Sequence, residues 1–155
     1  MLLLVISSVC ASCTKKTQSE HQLDFQNVFT SSIIIELFLD EILDVISMTE
    51  SRQILIDYAT YDLNDNGLND LVVCVRSPLH SGSLGDSMYI LENSGEDHYE
   101  EIGSFRLQMY SQTEPEKPIM LVSSEKINSY YSIIIDSFDS QIILVYMDGG
   151  YIVLE

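Results

Sequence analysis

Apolar and polar positions alternate in two different ways along this chain. Between Ser31 and Ser51, apolar residues recur with a helical period at Ile34, Ile35, Phe38, Leu39, Ile42, Leu43, Val45 and Ile46. Glu36, Asp40, Asp44 and Ser47 form a narrow polar stripe on the opposite side. Thr30, Ser31 and Ser32 supply capping oxygens at its start. The spacing predicts one helix over 31–51. Its first turn is ambiguous, because Ile33-Ile34-Ile35 is a β-branched run that also suits a strand. A helix this apolar needs cover over most of its surface, most simply from a sheet. Its acids at 36, 40, 41 and 44 argue against a membrane span.

From residue 52 onward the pattern shortens to strands. The first set comprises Ile54 to Tyr61, Leu71 to Arg76, Ser87 to Glu92 and Tyr99 to Gln108. A polar segment punctuated by Pro115 and Pro118 follows. The second set comprises Ile119 to Ser123, Tyr130 to Ile135, Gln141 to Met147 and Tyr151 to Leu154. Asp148-Gly149-Gly150 predicts a tight hairpin turn between the last two. The expectation is a mostly β protein with one N-terminal helix (α+β). Its strands form two four-stranded antiparallel meanders resembling propeller blades, with a single β-sandwich as the alternative. One β-rich domain is expected over 25–155, with strand sets at 54–108 and 118–154.

The N-terminus departs from both regimes. Met1 to Val9 (MLLLVISSV) is an apolar run too short to span a bilayer as a helix. Small residues then precede a cysteine in Cys10-Ala11-Ser12-Cys13. This arrangement resembles the signal of bacterial lipoproteins, although Cys10 stands where leucine is usual and no Lys or Arg precedes the run. The resemblance implies a signal peptide over 1–12 and lipidation of Cys13, with Cys10 as second candidate. The alternatives are an ordinary secretory cleavage site and an unstructured apolar terminus. Thr14 to Gln22 is polar and aperiodic, which places a lipid-anchor tether over 13–24. The membrane is then reached through the lipid alone, on the bacterial cell envelope, with a secreted protein as the alternative.

Charge narrows the partners. The chain of 155 residues carries 7 Lys+Arg against 24 Asp+Glu, a net charge of −17. Such a field repels a phosphate backbone, so no nucleic-acid partner is expected. It suits metal cations or a basic protein. Hydrophobic residues make up 46% of the chain, enough for a folded core.

The stretch Asp62-Leu63-Asn64-Asp65-Asn66-Gly67-Leu68-Asn69-Asp70 carries the most specific chemistry. Calcium takes several oxygen ligands from side chains and backbone carbonyls. Alternate spacing at Asp62, Asn64 and Asn66 lets a turning loop aim three oxygens inward. Gly67 permits the sharp turn, the Leu68 carbonyl is placed as a backbone ligand, and Asp70 closes the set. An EF-hand needs a bidentate Glu at the twelfth position, where this chain has Val73 inside an apolar strand. A metal-free reading also stands, since Asp and Asn bond their own backbone in turns.

These residues, with Leu71-Val72-Val73 after them, resemble the calcium loop of FG-GAP and VCBS-type repeats, found in integrin α-subunits. There the loop precedes a strand of a propeller blade. The resemblance implies ligation by Asp62, Asn64, Asn66 and Asp70 side chains and by the Leu68 backbone. Asparagine at 64 and 66 lowers the ligand charge, so the expected Kd is about 10⁻⁴ to 10⁻³ M, as in extracellular modules. Asp136-Ser137-Phe138-Asp139 lacks the glycine and the alternation, so no second loop is expected.

The loop at 77–86 (SPLHSGSLGD) offers His80, Ser81, Ser83 and Asp86 as ligand contacts. Ser81 lacks the Gly-x-Ser-x-Gly context of a nucleophile elbow, which argues against catalysis there. Cys74 lies in an apolar strand and reads as a buried thiol. No clustered Cys/His spacing, phosphate loop or dinucleotide fingerprint is present. The expected role is a non-enzymatic binding domain with a structural calcium and a protein or glycan partner. An acidic inhibitor or adaptor of a basic extracellular protein, such as a cationic hydrolase, is the second reading. An enzyme with its site in loop 77–86 is the third.

Overall fold

A computed structural model describes residues 20–27, 31–37, 55–76, 86–96, 98–107, 119–136 and 140–154. In chain order the elements are β1 (His21–Gln22), β2 (Gln26–Asn27), α1 (Ser32–Leu37), β3 (Leu55–Tyr61), β4 (Asp70–Arg76), β5 (Asp86–Gly95), β6 (His98–Leu107), β7 (Met120–Ile127), β8 (Tyr130–Asp136), β9 (Gln141–Met147) and β10 (Gly150–Leu154). The protein is mostly β with one short N-terminal helix. Its strands form two antiparallel five-stranded sheets, ordered β2-β3-β4-β5-β6 and β1-β7-β8-β9-β10. Each sheet is thus a four-stranded meander plus one two-residue strand. The sheets are open and share one core, the layering of a β-sandwich.

The two added strands correct the expected boundaries. His21–Gln22 falls within the expected tether over 13–24, yet it pairs with Val122 and Leu121 of β7. Gln26–Asn27 pairs with Tyr58 and Asp57 of β3. Between them Leu23 and Phe25 are buried in the core, and the Leu23 N–H donates to the Met120 carbonyl at 2.9 Å. One short segment therefore stitches both sheets. Only Leu23 and Phe25 are apolar in it, too short an alternation to read as a strand.

The shared core joins Ala59, Val72, Cys74, Met88, Ile90 and Ile102 of the first sheet to Met120, Val122, Ile133, Ile135, Leu144 and Tyr151 of the second. The first sheet is covered on its other face too. There Ile34 of α1 is buried with Ile56, Tyr58, Leu71, Val73, Val75 and Leu91. This explains the unbroken apolar run of β4, whose alternate residues serve two cores.

The helix starts where Ser31 caps it. The Ile34 N–H donates to Ser31 Oγ at 3.4 Å, and the Ile35 N–H to the Ser31 carbonyl at 3.2 Å. The ambiguous isoleucine run is therefore helical. Residues 38–51 of the expected helix lie outside the described residues, as do Cys10 and Cys13. Among the described residues no helix is long and apolar enough to cross a membrane.

Two-residue hairpins join β7 to β8 and β9 to β10. Asn128 and Ser129 have φ of 52° and 75°, and Asp148 and Gly149 have 53° and 91°. Two successive positive values define the turn that matches strand twist. The Asp148-Gly149 turn sits where the sequence predicts it.

Candidate functional site

The loop at 62–69 connects β3 to β4, and the ladder pair Tyr61–Asp70 closes its base. Its backbone amides turn onto its own side chains. The Asn66 N–H is shared between Asp62 Oδ1 and Asn64 Oδ1, each at 3.0 Å. The Gly67 N–H donates to Asp62 Oδ2 at 2.8 Å, and the Leu68 N–H to Asn66 Oδ1 at 2.7 Å. Asp62, Asn64 and Asn66 thus all hold backbone amides of one turn, over residues 66–68. The turn depends on left-handed backbone at Asp65 (φ 59°) and Gly67 (φ 87°). A Cβ at Gly67 would meet nothing within 4 Å, so backbone conformation is what selects glycine there.

Asp70 is fully buried. Its Oδ2 accepts the Leu63 N–H and its Oδ1 accepts the Asn93 N–H, both at 2.9 Å. It therefore straps the start of the loop to β5. Burial pushes its carboxyl up to about 6, and the nearby Glu92 and Asp62 charges push the same way. The two amide donors oppose that shift.

The outer side of the loop fastens to the second sheet. The Tyr131 N–H donates to the Leu63 carbonyl at 2.8 Å. Asn64 Nδ2 donates to Glu92 Oε1 at 2.8 Å and to the Tyr130 hydroxyl at 3.4 Å. That hydroxyl donates to the same Glu92 oxygen at 2.7 Å. Asp65 accepts from the Tyr131 hydroxyl at 3.1 Å and pairs with Lys126, whose ammonium also lies over the Tyr131 ring. The Lys126 ammonium holds the Asp65 carboxyl below its usual range. Tyr130 stacks on Tyr146 with ring centroids 3.7 Å apart, and Tyr151 meets both edge-on. Burial raises the Tyr130 and Tyr151 hydroxyls, which keeps both as donors. The Tyr151 hydroxyl donates to the Tyr131 carbonyl at 2.6 Å.

The donor set is all oxygen. An amide or carboxylate oxygen that accepts one N–H keeps a second lone pair. That chemistry fits a hard cation such as calcium and does not fit zinc. Among the described residues no three His, Cys, Asp or Glu side chains gather as a metal-holding group. A cation here would rely on amide and carbonyl oxygens beside the Asp62 and Asp70 carboxylates. Leu68 is exposed at the tip of the loop.

Several residues of this site escape a reading of the sequence. Leu63 is 0% exposed, yet it sits between oxygen-bearing positions of a polar loop. Glu92, Asn93, Lys126, Tyr130 and Tyr131 reach the loop from other strands. A leucine at this place was the one available signal. Of the second loop, His80, Ser81 and Ser83 lie outside the described residues. Asp86 opens β5 opposite Leu107. Residues 137–139, where no second loop is expected, also lie outside them. Cys74 is a buried free thiol, and burial raises it well above its usual range.

No protein-family model, curated protein or solved structure matches the chain.

Proposed function

We propose that this chain is a non-enzymatic interaction domain of a bacterial cell envelope, held there by a lipid on Cys13. In this reading a calcium ion sits in the loop at 62–70 as a structural clasp. Asp62, Asn64 and Asn66 supply side-chain oxygens, Leu68 a carbonyl, and Asp70 the buried closing carboxylate. The supporting observation is that Asp62, Asn64 and Asn66 all turn side-chain oxygens onto the amides of one short loop, which also binds the other sheet. An ion there would stiffen the junction of the two sheets and so hold the binding surface in shape.

Thermal unfolding in calcium and in chelator tests the clasp. At about 10 mM calcium and a Kd of about 10⁻⁴ to 10⁻³ M, binding to the native state adds roughly 1.4–2.7 kcal/mol. The midpoint should rise in the native chain and stay fixed in Asp62→Ala. An unmoved midpoint, or an equal rise in the variant, overturns the proposal. Globomycin-type inhibition of lipoprotein processing tests the anchor, since a precursor must then accumulate.

The net charge of −17 favours a second reading, in which the acidic surface engages a basic extracellular protein. Binding of lysozyme-like cationic proteins should weaken steeply as salt rises. Salt-independent binding sinks that reading.

A further inference from the structure

The two meanders end in edge strands of opposite character. β6 closes the first sheet with exposed Glu100, Glu101 and Arg106, and its pairing with β5 is interrupted by two register shifts. Charges and bulges of this kind keep an edge from pairing with another chain. β10 closes the second sheet with Gly150-Tyr151-Ile152-Val153-Leu154, and its register on β9 is unbroken. It has no charge, proline or bulge. Ile152, Val153 and Leu154 are 42%, 40% and 50% exposed. Successive strand residues face opposite sides, so apolar surface is open on both faces of this edge.

The hairpin also fixes where the backbone points. In a two-residue hairpin the flanking pair, here Met147–Gly150, exchanges both hydrogen bonds. By alternation Ile152 and Leu154 aim their backbone groups at β9, and Tyr151 and Val153 aim theirs away. The start of β10 leans on β6, where a Cβ on Gly150 would come within 3.0 Å of the Ile102 carbonyl. The open part of the edge is therefore centred on Val153. Among the described residues no strand pairs with it.

We propose that β10 is a dimerisation edge, pairing antiparallel with β10 of a second copy of this chain. The two five-stranded sheets would then run on as one. A two-fold axis makes an antiparallel edge self-complementary, so the outward N–H and C=O of Val153 find equal partners. Ile152 and Leu154 on one face, and Val153 on the other, would each be covered by their counterparts. Charge selects this occupant. In a chain of net −17, β9 and β10 carry no charged residue. A basic partner is drawn to the acids elsewhere, and a glycan needs polar donors that the side chains of Ile152, Val153 and Leu154 lack. A second neutral strip meets it without like-charge contact.

Sedimentation equilibrium of the full chain in a density-matched neutral detergent tests the edge. At roughly 100 µM the expected protein mass is twice that of one copy. Added salt should raise the dimer fraction, because it screens the repulsion between two acidic bodies. Val153→Pro removes an outward N–H and no hydrogen bond to β9, and should give monomer with unchanged far-UV circular dichroism. Leu154→Lys, at an exposed side chain, should do the same and carries the test if the proline variant does not fold. A monomeric native chain at high salt, or a dimer that persists in Leu154→Lys, overturns the proposal. So does a partner of different sequence bound at β10 in place of the second copy.

Discussion

The carbonyl of Leu63, in the loop of the first sheet, accepts the backbone N–H of Tyr131, in the second sheet, at 2.8 Å. The N–H of the same Leu63 donates to Asp70 Oδ2 at 2.9 Å. Its side chain is fully buried in the shared core. One apolar residue in a polar loop thus anchors the candidate cation site to both sheets.

Leu63→Ala removes the buried side chain and keeps both backbone hydrogen bonds. A buried Leu→Ala change costs about 2–5 kcal/mol, through lost transfer energy and the cavity left behind. Leu68, in the same loop but exposed at 38%, should change stability by about 0.5 kcal/mol or less on substitution by alanine. Urea unfolding of the two variants checks the contrast. Similar midpoints would show that the loop is fastened elsewhere.

Asp70 sets a pH dependence with a definite sign. Its carboxyl rests at about 6 in the folded chain, against an ordinary value of 3.8. The folded state therefore binds the proton more readily than the unfolded state between these values. Stability falls as pH rises through this window and is regained on acidification, by at most about 3 kcal/mol. The net negative charge gives a slope of the same sign, so the variant difference is the informative quantity. In chelator, Asp70→Asn should unfold with a flatter profile between about pH 4 and 6.5 than the native chain. Parallel profiles would exclude Asp70 as the source.

Gly150 marks the corner where β10 meets the first sheet. A Cβ there would come within 3.0 Å of the Ile102 backbone carbonyl, which cannot swing aside as a side chain can. Gly150→Ala should destabilise the fold by about 1–3 kcal/mol through overpacking. Gly149→Ala, with open space around it but φ at 91°, should lose about 1–2 kcal/mol for a different reason, the strain of a left-handed alanine. Replacement by asparagine separates the causes. It should restore stability at 149, where Asn tolerates positive φ, and not at 150.

Local pattern carried much of this architecture. The alternation and turn residues of the chain determined eight strands in two meanders, the hairpin at Asp148-Gly149, the buried place of Cys74 and the capped start of a helix near Ser31. Each rests on interactions within a few residues, and such interactions are written in spacing.

Tertiary structure decided the rest. Strands β1 and β2 exist because β7 and β3 offer edges to a polar segment, and the sides of Leu23 and Phe25 were set by the gap between two sheets. The same holds for Asp70, whose partner Asn93 lies on β5, and for Leu63, whose partner Tyr131 lies on β8. Hydrogen bonds between residues distant in sequence leave no periodic trace. The loop is legible as a turn of oxygen donors from its residues alone; its role as the joint between two sheets is fixed only when the chain closes on itself.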